Sequence, residues 1–165
     1  MRRALFIALA TCLMLGLAAT PSQAANEIRI ISNGEGYCLT APNNNNGGRP
    51  YLASCVIVPN TNYQKWQFAY VGTDQWRNSW YQIKNVGSGK CLVVQGTSPG
   101  AIAFQYTCLS ARYIDQHWAL PAATPSAGGY TPLVNRNSGQ CLVENLSLVQ
   151  RPCTSAPDQE WHVWY

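Results

Sequence analysis

The sequence predicts an all-β fold built from three copies of one unit. Aligned on the dipeptide Cys-Leu, the chain contains GYCLT at 36–40, GKCLV at 89–93 and GQCLV at 139–143. The first cysteines of these segments are 53 and 50 residues apart, a spacing typical of a repeated supersecondary unit. Each copy closes with a Gln-x-Trp tripeptide, and no segment keeps the 3.6-residue apolar period of an amphipathic helix for more than a turn.

The first 24 residues are typical of an export signal. Met1-Arg2-Arg3 is basic, residues 4–19 are almost entirely apolar, and the small residues at 22–24 suit a signal peptidase. The apolar run of 16 residues is shorter than the roughly 20 that a membrane span needs. We therefore expect a cleaved signal peptide at 1–24, a single domain at 25–165, a secreted protein and no membrane span.

The charges and cysteines of the remaining chain narrow the class of protein. Loss of Arg2 and Arg3 leaves nine basic residues against seven acidic ones, a balance that gives no reason to expect a nucleic-acid partner. Cys12 leaves with the signal, and six cysteines remain. An even number in an exported chain favours disulfides over metal ligands, although six cysteines permit fifteen pairings.

The local pattern predicts four short strands in each unit. A β-branched or alternating run precedes each Cys-Leu and is separated from it by a glycine-containing turn, as in a hairpin. Further strands end near the second cysteine and begin at Gln-x-Trp. We expect twelve strands in repeats at about 26–72, 80–122 and 130–165, with breaker-rich loops at 42–50 and 121–129.

These motifs, in this order, resemble the ricin-B-type lectin domain, a β-trefoil family with three Gln-x-Trp repeats. The resemblance covers essentially the whole chain after the signal. It implies twelve strands related by a pseudo-threefold axis, of which six form a closed barrel and the rest form three hairpins that cap it. Closing the sheet would leave no exposed strand edge.

The resemblance also assigns structural roles to the repeated residues. It implies that each tryptophan packs in the common core while each glutamine braces a loop of its unit: Gln64 and Trp66, Gln116 and Trp118, Gln159 and Trp161. Since each unit has two cysteines, 17, 17 and 12 residues apart, we expect disulfides within units: Cys38 with Cys55, Cys91 with Cys108, and Cys141 with Cys153.

The sugar pocket of this family uses three elements in each unit. These are an acid two residues after the first cysteine, an aromatic residue near the second cysteine, and Asn or Asp before Gln-x-Trp. A carboxylate accepts hydrogen bonds from sugar hydroxyls, and an aromatic ring stacks on the pyranose face. The first unit has Thr40, Ala53 and Tyr63 at these positions and matches none of the preferences.

The second and third units keep part of the pattern. The second has Val93 in place of the acid but retains Tyr106, with Gln105 beside it, and Asp115. This makes it the predicted principal site, although Tyr106 also fits an ordinary half-buried strand residue. The third has Val143 and Arg151 at two of the positions, and its candidates are the adjacent pair Glu144 and Asn145 together with Asp158. Glu144 is one residue out of place, a shift that turns a strand side chain to the opposite face.

No catalytic or metal-binding constellation stands out in the sequence. His117 and His162 lie in or beside Gln-x-Trp motifs, and no nucleophile, base and orienting group are placed together by a motif. We therefore expect neither enzyme activity nor a metal or other cofactor.

Two functions remain. The first is a secreted carbohydrate-binding module, weak at each site, for galactose- or xylose-containing glycans or a polysaccharide. The second is a secreted interaction or inhibitor domain of the same fold that has lost sugar binding, because all three family acids are missing, and that acts through a protruding loop such as 42–50. The sequence leaves the sugar, the partner and the oligomeric state open.

Overall fold

The repeated sequence folds into repeated strands. The computed structural model describes residues 27–56, 61–121 and 129–164, so the predicted signal peptide at 1–24 and most of the loop at 121–129 lie outside the described residues. The first unit supplies β1 (Arg29–Ser32), β2 (Cys38–Thr40), β3 (Tyr51–Ala53) and β4 (Trp66–Thr73). The second supplies β5 (Ser79–Asn85), β6 (Lys90–Val94), β7 (Ala103–Thr107) and β8 (His117–Ala119).

The described residues form thirteen strands instead of the expected twelve, and the extra strand is in the third unit. This unit contains β9 (Tyr130–Pro132), β10 (Val134–Asn135), β11 (Cys141–Val143), β12 (Val149–Arg151) and β13 (Glu160–Trp164). The first two occupy one strand position that changes partner at Leu133: β9 pairs with β13, and β10 pairs with β8. The break follows Pro132, which has no amide hydrogen to donate.

Six of these strand positions close into a barrel. β1 pairs with β13, β4 with β5, and β5 with β8, while β9 and β10 connect β13 to β8. The reciprocal main-chain bonds between Ile28 and Trp66 join the beginning of β1 to β4 and complete the ring. The hairpins β2–β3, β6–β7 and β11–β12 lie outside this ring. The predicted all-β trefoil architecture is confirmed.

The tryptophans of the three Gln-x-Trp motifs form the centre of the core. Trp66, Trp118 and Trp161 are fully buried, and each indole N–H donates to the carbonyl of the leucine that follows its unit's first cysteine. Buried Ile, Leu and Val side chains surround them. Each tryptophan therefore packs against the core and also ties the last strand of its unit to the second.

Three short 3-10 helices, at Asn62–Gln64, Ile114–Gln116 and Pro157–Gln159, set the glutamine of each motif beside the second cysteine of its unit. Gln64 accepts a bond from the Val56 amide and donates to the Ser54 carbonyl, on either side of Cys55. Equivalent pairs of bonds join Gln116 to Leu109 and Thr107, and Gln159 to Thr154 and Pro152. The disulfides join Cys38 to Cys55, Cys91 to Cys108 and Cys141 to Cys153.

Candidate functional site

Two of the three junctions between units are closed by a glutamine. Gln105, in the second unit, is fully buried and donates its side-chain amide to the carbonyls of Asn43 and Asn45 in the first unit. Gln150, in the third unit, donates in the same way to Gly96 and Ser98 of the second. Main-chain bonds accompany both contacts, since each glutamine also pairs with the preceding unit's loop through its own amide and carbonyl. We call this arrangement the glutamine latch.

The third junction has no glutamine latch. The residue equivalent to Gln105 and Gln150 is Leu52, which pairs with Leu39 as those glutamines pair with Leu92 and Leu142. Its side chain cannot donate a hydrogen bond. The β11–β12 loop that would have to reach it is also shorter, because the cysteines of the third unit are 12 residues apart instead of 17. Among the described residues, that loop makes no main-chain bond to Leu52.

The missing latch leaves a cleft of about 550 Å³ between the third and first units. Tyr37, Tyr51 and Leu52 line it from the first unit, and Tyr37 and Tyr51 keep 39% and 48% of their surface exposed. The remaining lining residues are Gly34 and Glu35 of the first unit and Glu144, Asn145, Leu146 and Asp158 of the third. The cleft therefore combines aromatic rings with carboxylate and amide groups, the composition of many ligand sites.

Glu144 occupies a position that is apolar in the other two units. Its equivalents, three residues after the first cysteine, are Ala41 and Val94, which are both buried. The Glu144 side chain instead runs under the turn after β1, where a methyl group added at Gly34 would lie 2.7 Å from Oε2. A side chain at position 34 would therefore crowd the carboxylate where it now lies.

Ser32 also makes room for this carboxylate. In the other units the equivalent residues are Asn85 and Asn135, whose side chains donate to the carbonyl that precedes Gln-x-Trp in the unit before. At the third junction that carbonyl belongs to Asp158 and accepts from the Glu144 amide. Two substitutions relative to the sister units, Ser for Asn and Glu for an apolar residue, therefore place a carboxylate at the floor of the cleft.

The Glu144 carboxylate is poorly stabilised. Both of its oxygens are buried, and neither makes a hydrogen bond of good geometry. Burial raises the pKa of Glu144, and the charges of Glu35 and Asp158 raise it further, while the nearby Ser32 hydroxyl and Gly34 amide offset part of the effect. Strained or desolvated charges of this kind are typical of functional sites.

The candidates in the second unit form a less complete arrangement. Tyr106 is 38% exposed and lies opposite Cys91 in the β6–β7 hairpin. Val93 is almost fully buried and faces Phe104, so an apolar pair lies where the family's acid would be. Asp115 is half-buried, its Oδ1 has no hydrogen-bond partner, and burial raises its pKa against main-chain hydrogen bonds that lower it.

Two sequence-based expectations change in the light of these contacts. Gln105 does not lie beside Tyr106 as a free hydrogen-bonding group, because its amide latches the loop of the first unit. The loop at 42–50 is exposed along 43–47 but is anchored to the second unit, because Asn46 accepts from the amide and hydroxyl of Thr107. Successive side chains along β7 point to opposite faces, so the adjacent residues Gln105 and Tyr106 cannot share a pocket.

The sequence-predicted candidates are thus divided between two places. Glu144, Asn145 and Asp158 come together in the cleft, whereas Tyr106 and Asp115 belong to the second unit. Sequence reasoning missed Tyr37, Tyr51, Gly34 and Glu35, because a cleft between units does not follow the pattern within a unit. The shorter cysteine spacing of the third unit was the signal that could have found them.

The described residues contain no other obvious chemical centre. Within 27–56, 61–121 and 129–164, no three His, Cys, Asp or Glu side chains converge as metal ligands. His117 is buried, and its pKa is lowered by that burial and by the neighbouring Arg136. In the part of the chain that the structure describes, none of the helices has the length and apolar character of a membrane span.

Solved structures of other β-trefoil proteins are similar to this chain. A designed threefold-symmetric protein, ThreeFoil, is 23% identical, with a TM-score of 0.69 over 84% of this chain and 98% of its own. An exo-β-1,3-galactanase from Clostridium thermocellum is 19% identical, with a TM-score of 0.70 over 87% of this chain but only 30% of its own. The hemolytic lectin CEL-III is 24% identical, with a TM-score of 0.61 over 84% of this chain and 30% of its own.

A family model also matches the sequence directly. No curated protein sequence matches the chain significantly. The model of the ricin-type β-trefoil lectin-like domain, however, matches residues 62–145, which is half of the chain. Together with the closed barrel, the three hairpins and the three Gln-x-Trp motifs, this match shows that the protein belongs to the ricin-type β-trefoil lectin-like family.

Proposed function

We propose that the protein is a secreted carbohydrate-binding module whose principal site is the cleft between the third and first units. The observation that carries the proposal is the cleft itself, where two exposed tyrosines face carboxylate and amide side chains. Aromatic rings suit the apolar face of a pyranose, and the polar groups suit its hydroxyls. Galactose- or xylose-containing glycans are the substrates we propose, as the family resemblance implies.

The position of Tyr51 supports the cleft as the site of contact. Tyr51 lies directly opposite Thr40, which stands where the family has its acid. The hydroxyl of Thr40 already donates to the Cys38 carbonyl and accepts from Gln64, so it is committed to the fold. Hydrogen bonds to a sugar would therefore come from the lining residues of the third unit, such as Asn145 and Asp158.

The second unit supplies a weaker, additional site in this proposal. Tyr106 offers a ring, but the unpartnered oxygen of Asp115 is buried, and neither Val93 nor the half-buried Phe104 opposite it offers a hydrogen-bonding partner. A monosaccharide at such a site is expected to bind with a Kd of about 1 mM, near −4 kcal/mol. Two weak sites on one domain favour polymers, since linked contacts gain from effective concentration.

The competing interaction or inhibitor function would act through a loop that is exposed along 43–47 but anchored to its neighbour. Residues 43–48 are held against the second unit by Gln105 and by the bonds between Asn46 and Thr107.

Retention on immobilised polysaccharide tests the proposal. Columns of a galactan and a xylan are compared for the parent protein and for Tyr51→Ala, Tyr106→Ala and Tyr130→Ala. Tyr130 is the matched control, because it is 47% exposed but lies outside the cleft. We expect Tyr51→Ala to abolish retention, Tyr106→Ala to reduce it and Tyr130→Ala to leave it unchanged. Retention that is equal for all four proteins, or absent from the parent on both columns, would overturn the proposal.

A further inference from the structure

The cleft between the third and first units is acidic, although the chain as a whole has more basic than acidic residues. Three of the seven acidic residues line it, namely Glu35, Glu144 and Asp158. None of its lining residues is Lys, Arg or His. The chain as a whole carries more basic than acidic residues, so the negative charge is concentrated at this one place. A neutral sugar needs hydrogen-bonding groups, but it does not need three like charges that repel one another.

The arrangement of the three acids separates them into two roles. Glu35 and Asp158 are exposed at the cleft and free to contact a ligand. Glu144 lies beneath the Gly34 turn with both oxygens buried, so it acts as a fixed negative charge under the floor. Its sister positions, Ala41 and Val94, show that the fold accepts an apolar residue here. The acid therefore costs stability in the free protein, and a nearby cation would offset that cost.

A single metal ion does not fit this arrangement. In the described part of the chain, these carboxylates are not grouped closely enough with any others to ligate one ion. A cationic group carried on a larger ligand fits better, because the exposed rings of Tyr37 and Tyr51 line the same cleft. Ring faces attract both the apolar face of a sugar and a neighbouring ammonium group.

We propose that the cleft selects amino sugars that carry a free, protonated amine. The inference rests on the proposed carbohydrate-binding function and names the substrate class of the same site. The pyranose lies against Tyr51, while its ammonium group is attracted by Glu35 and Asp158 and by the buried charge of Glu144. N-acetylation removes the positive charge, so the acetylated sugar loses this attraction.

Three monosaccharides that share the galactose ring test the preference for a free amine: galactosamine, N-acetylgalactosamine and galactose. Binding is measured by NMR titration of the oxidised protein at pH 6 and low salt. We expect galactosamine to bind about tenfold more tightly than galactose, a difference of ~1.4 kcal/mol, and N-acetylgalactosamine to bind no better than galactose. Raising the salt concentration should reduce the advantage of galactosamine, because screening weakens exposed charge pairs.

Variants of the acidic residues test whether the preference for galactosamine arises in the cleft. Glu35→Gln and Glu144→Gln should each reduce the preference for galactosamine severalfold. Glu27→Gln is the control, because Glu27 is an exposed acid that pairs with Lys65 outside the cleft. It should leave the preference unchanged.

The outcomes distinguish a failure of the amine preference from a failure of sugar binding itself. Equal binding of galactosamine and galactose, or an equal effect of all three variants, would overturn the amine preference while leaving sugar binding in place. Binding of none of the sugars, together with no retention on polysaccharide, would overturn both. Tighter binding of an oligolysine peptide than of galactosamine would identify a basic peptide as the ligand class and also overturn the amine-sugar proposal.

Discussion

At the scale of single residues, Glu144 connects the stability of this protein to its proposed function. The other two units have buried apolar side chains at this position, which suit the core. In the third unit the same position holds a desolvated carboxylate that is repelled by Glu35 and Asp158. Groups that weaken the free protein in this way are often retained because a ligand needs them.

Glu144→Gln is therefore expected to stabilise the free protein at neutral pH. The pKa of Glu144 is raised above its unfolded value of 4.5, so the carboxyl contributes stability only while protonated, and that contribution is lost as pH rises through the folded pKa. Thermal unfolding at pH 7 should give a higher Tm for the variant. Below about pH 4 the parent and variant should coincide. A variant that is less stable than the parent at pH 7 would show that the carboxylate is well satisfied.

Trp118 and Trp76 give a second test at this scale. Trp118 is fully buried and bonds to the Leu92 carbonyl, whereas Trp76 is 73% exposed at the tip of the β4–β5 hairpin. We expect Trp118→Ala to cost about 3 to 5 kcal/mol. Trp76→Ala should change the free energy of unfolding by no more than about 0.5 kcal/mol. Urea unfolding measures both, with Trp118→Phe as a milder change should the alanine variant fail to fold. Similar losses at the two positions would contradict the core assignment.

At the scale of elements, the loops between the second and third strands of each unit decide which junctions are open. The two longer loops reach the next unit and are held there by Gln105 and Gln150. The shorter loop of the third unit leaves Leu52 only half-buried, and the cleft forms in the space that remains. A loss of five residues in one loop thus converts a closed junction into an open one.

Gln105→Leu should make the junction between the first and second units resemble the open one, where the equivalent residue is Leu52. The change removes the donor to Asn43 and Asn45, and two partly buried carbonyls are left without that partner. We expect a cost of about 1 to 3 kcal/mol. Hydrogen exchange should become faster in a peptide that covers 43–48. Gln95→Leu, at an exposed position beside the same hairpin, is the control and should leave exchange in that peptide unchanged. Unchanged exchange in both variants would show that the main-chain bonds alone hold the loop.

The elements also show what the sequence could and could not reveal. Cys-Leu and Gln-x-Trp recur because each residue acts within its own unit, so their pattern predicts the strands, the core and the cysteine pairs. The roles of Gln105, Leu52 and Glu144 depend on contacts with a neighbouring unit, which a pattern within one unit does not contain. For this reason the sequence places Gln105 with Tyr106, although its amide is bonded to the first unit, and it offers Glu144 without Tyr37 and Tyr51, which line the same cleft.

At the scale of the whole molecule, the chain is a threefold repeat with one altered junction. The barrel, the core tryptophans, the disulfides and the bracing glutamines follow the repeat in all three units. The carboxylates, the exposed tyrosines and the cleft depart from it at one junction. We infer that the repeated residues maintain the fold, while the residues that break the symmetry perform the binding.

A titration of the isotope-labelled protein with a soluble galactan, followed by amide NMR shifts, tests this claim most directly. The account predicts that the largest shifts fall on 34–37, 51–52 and 144–146, which surround the open junction. Smaller shifts are expected around Tyr106. The equivalent residues of the two closed junctions should stay unchanged, because the glutamine latches occupy that space. Shifts of equal size at all three junctions, or shifts confined to the loop at 42–50, would contradict the account.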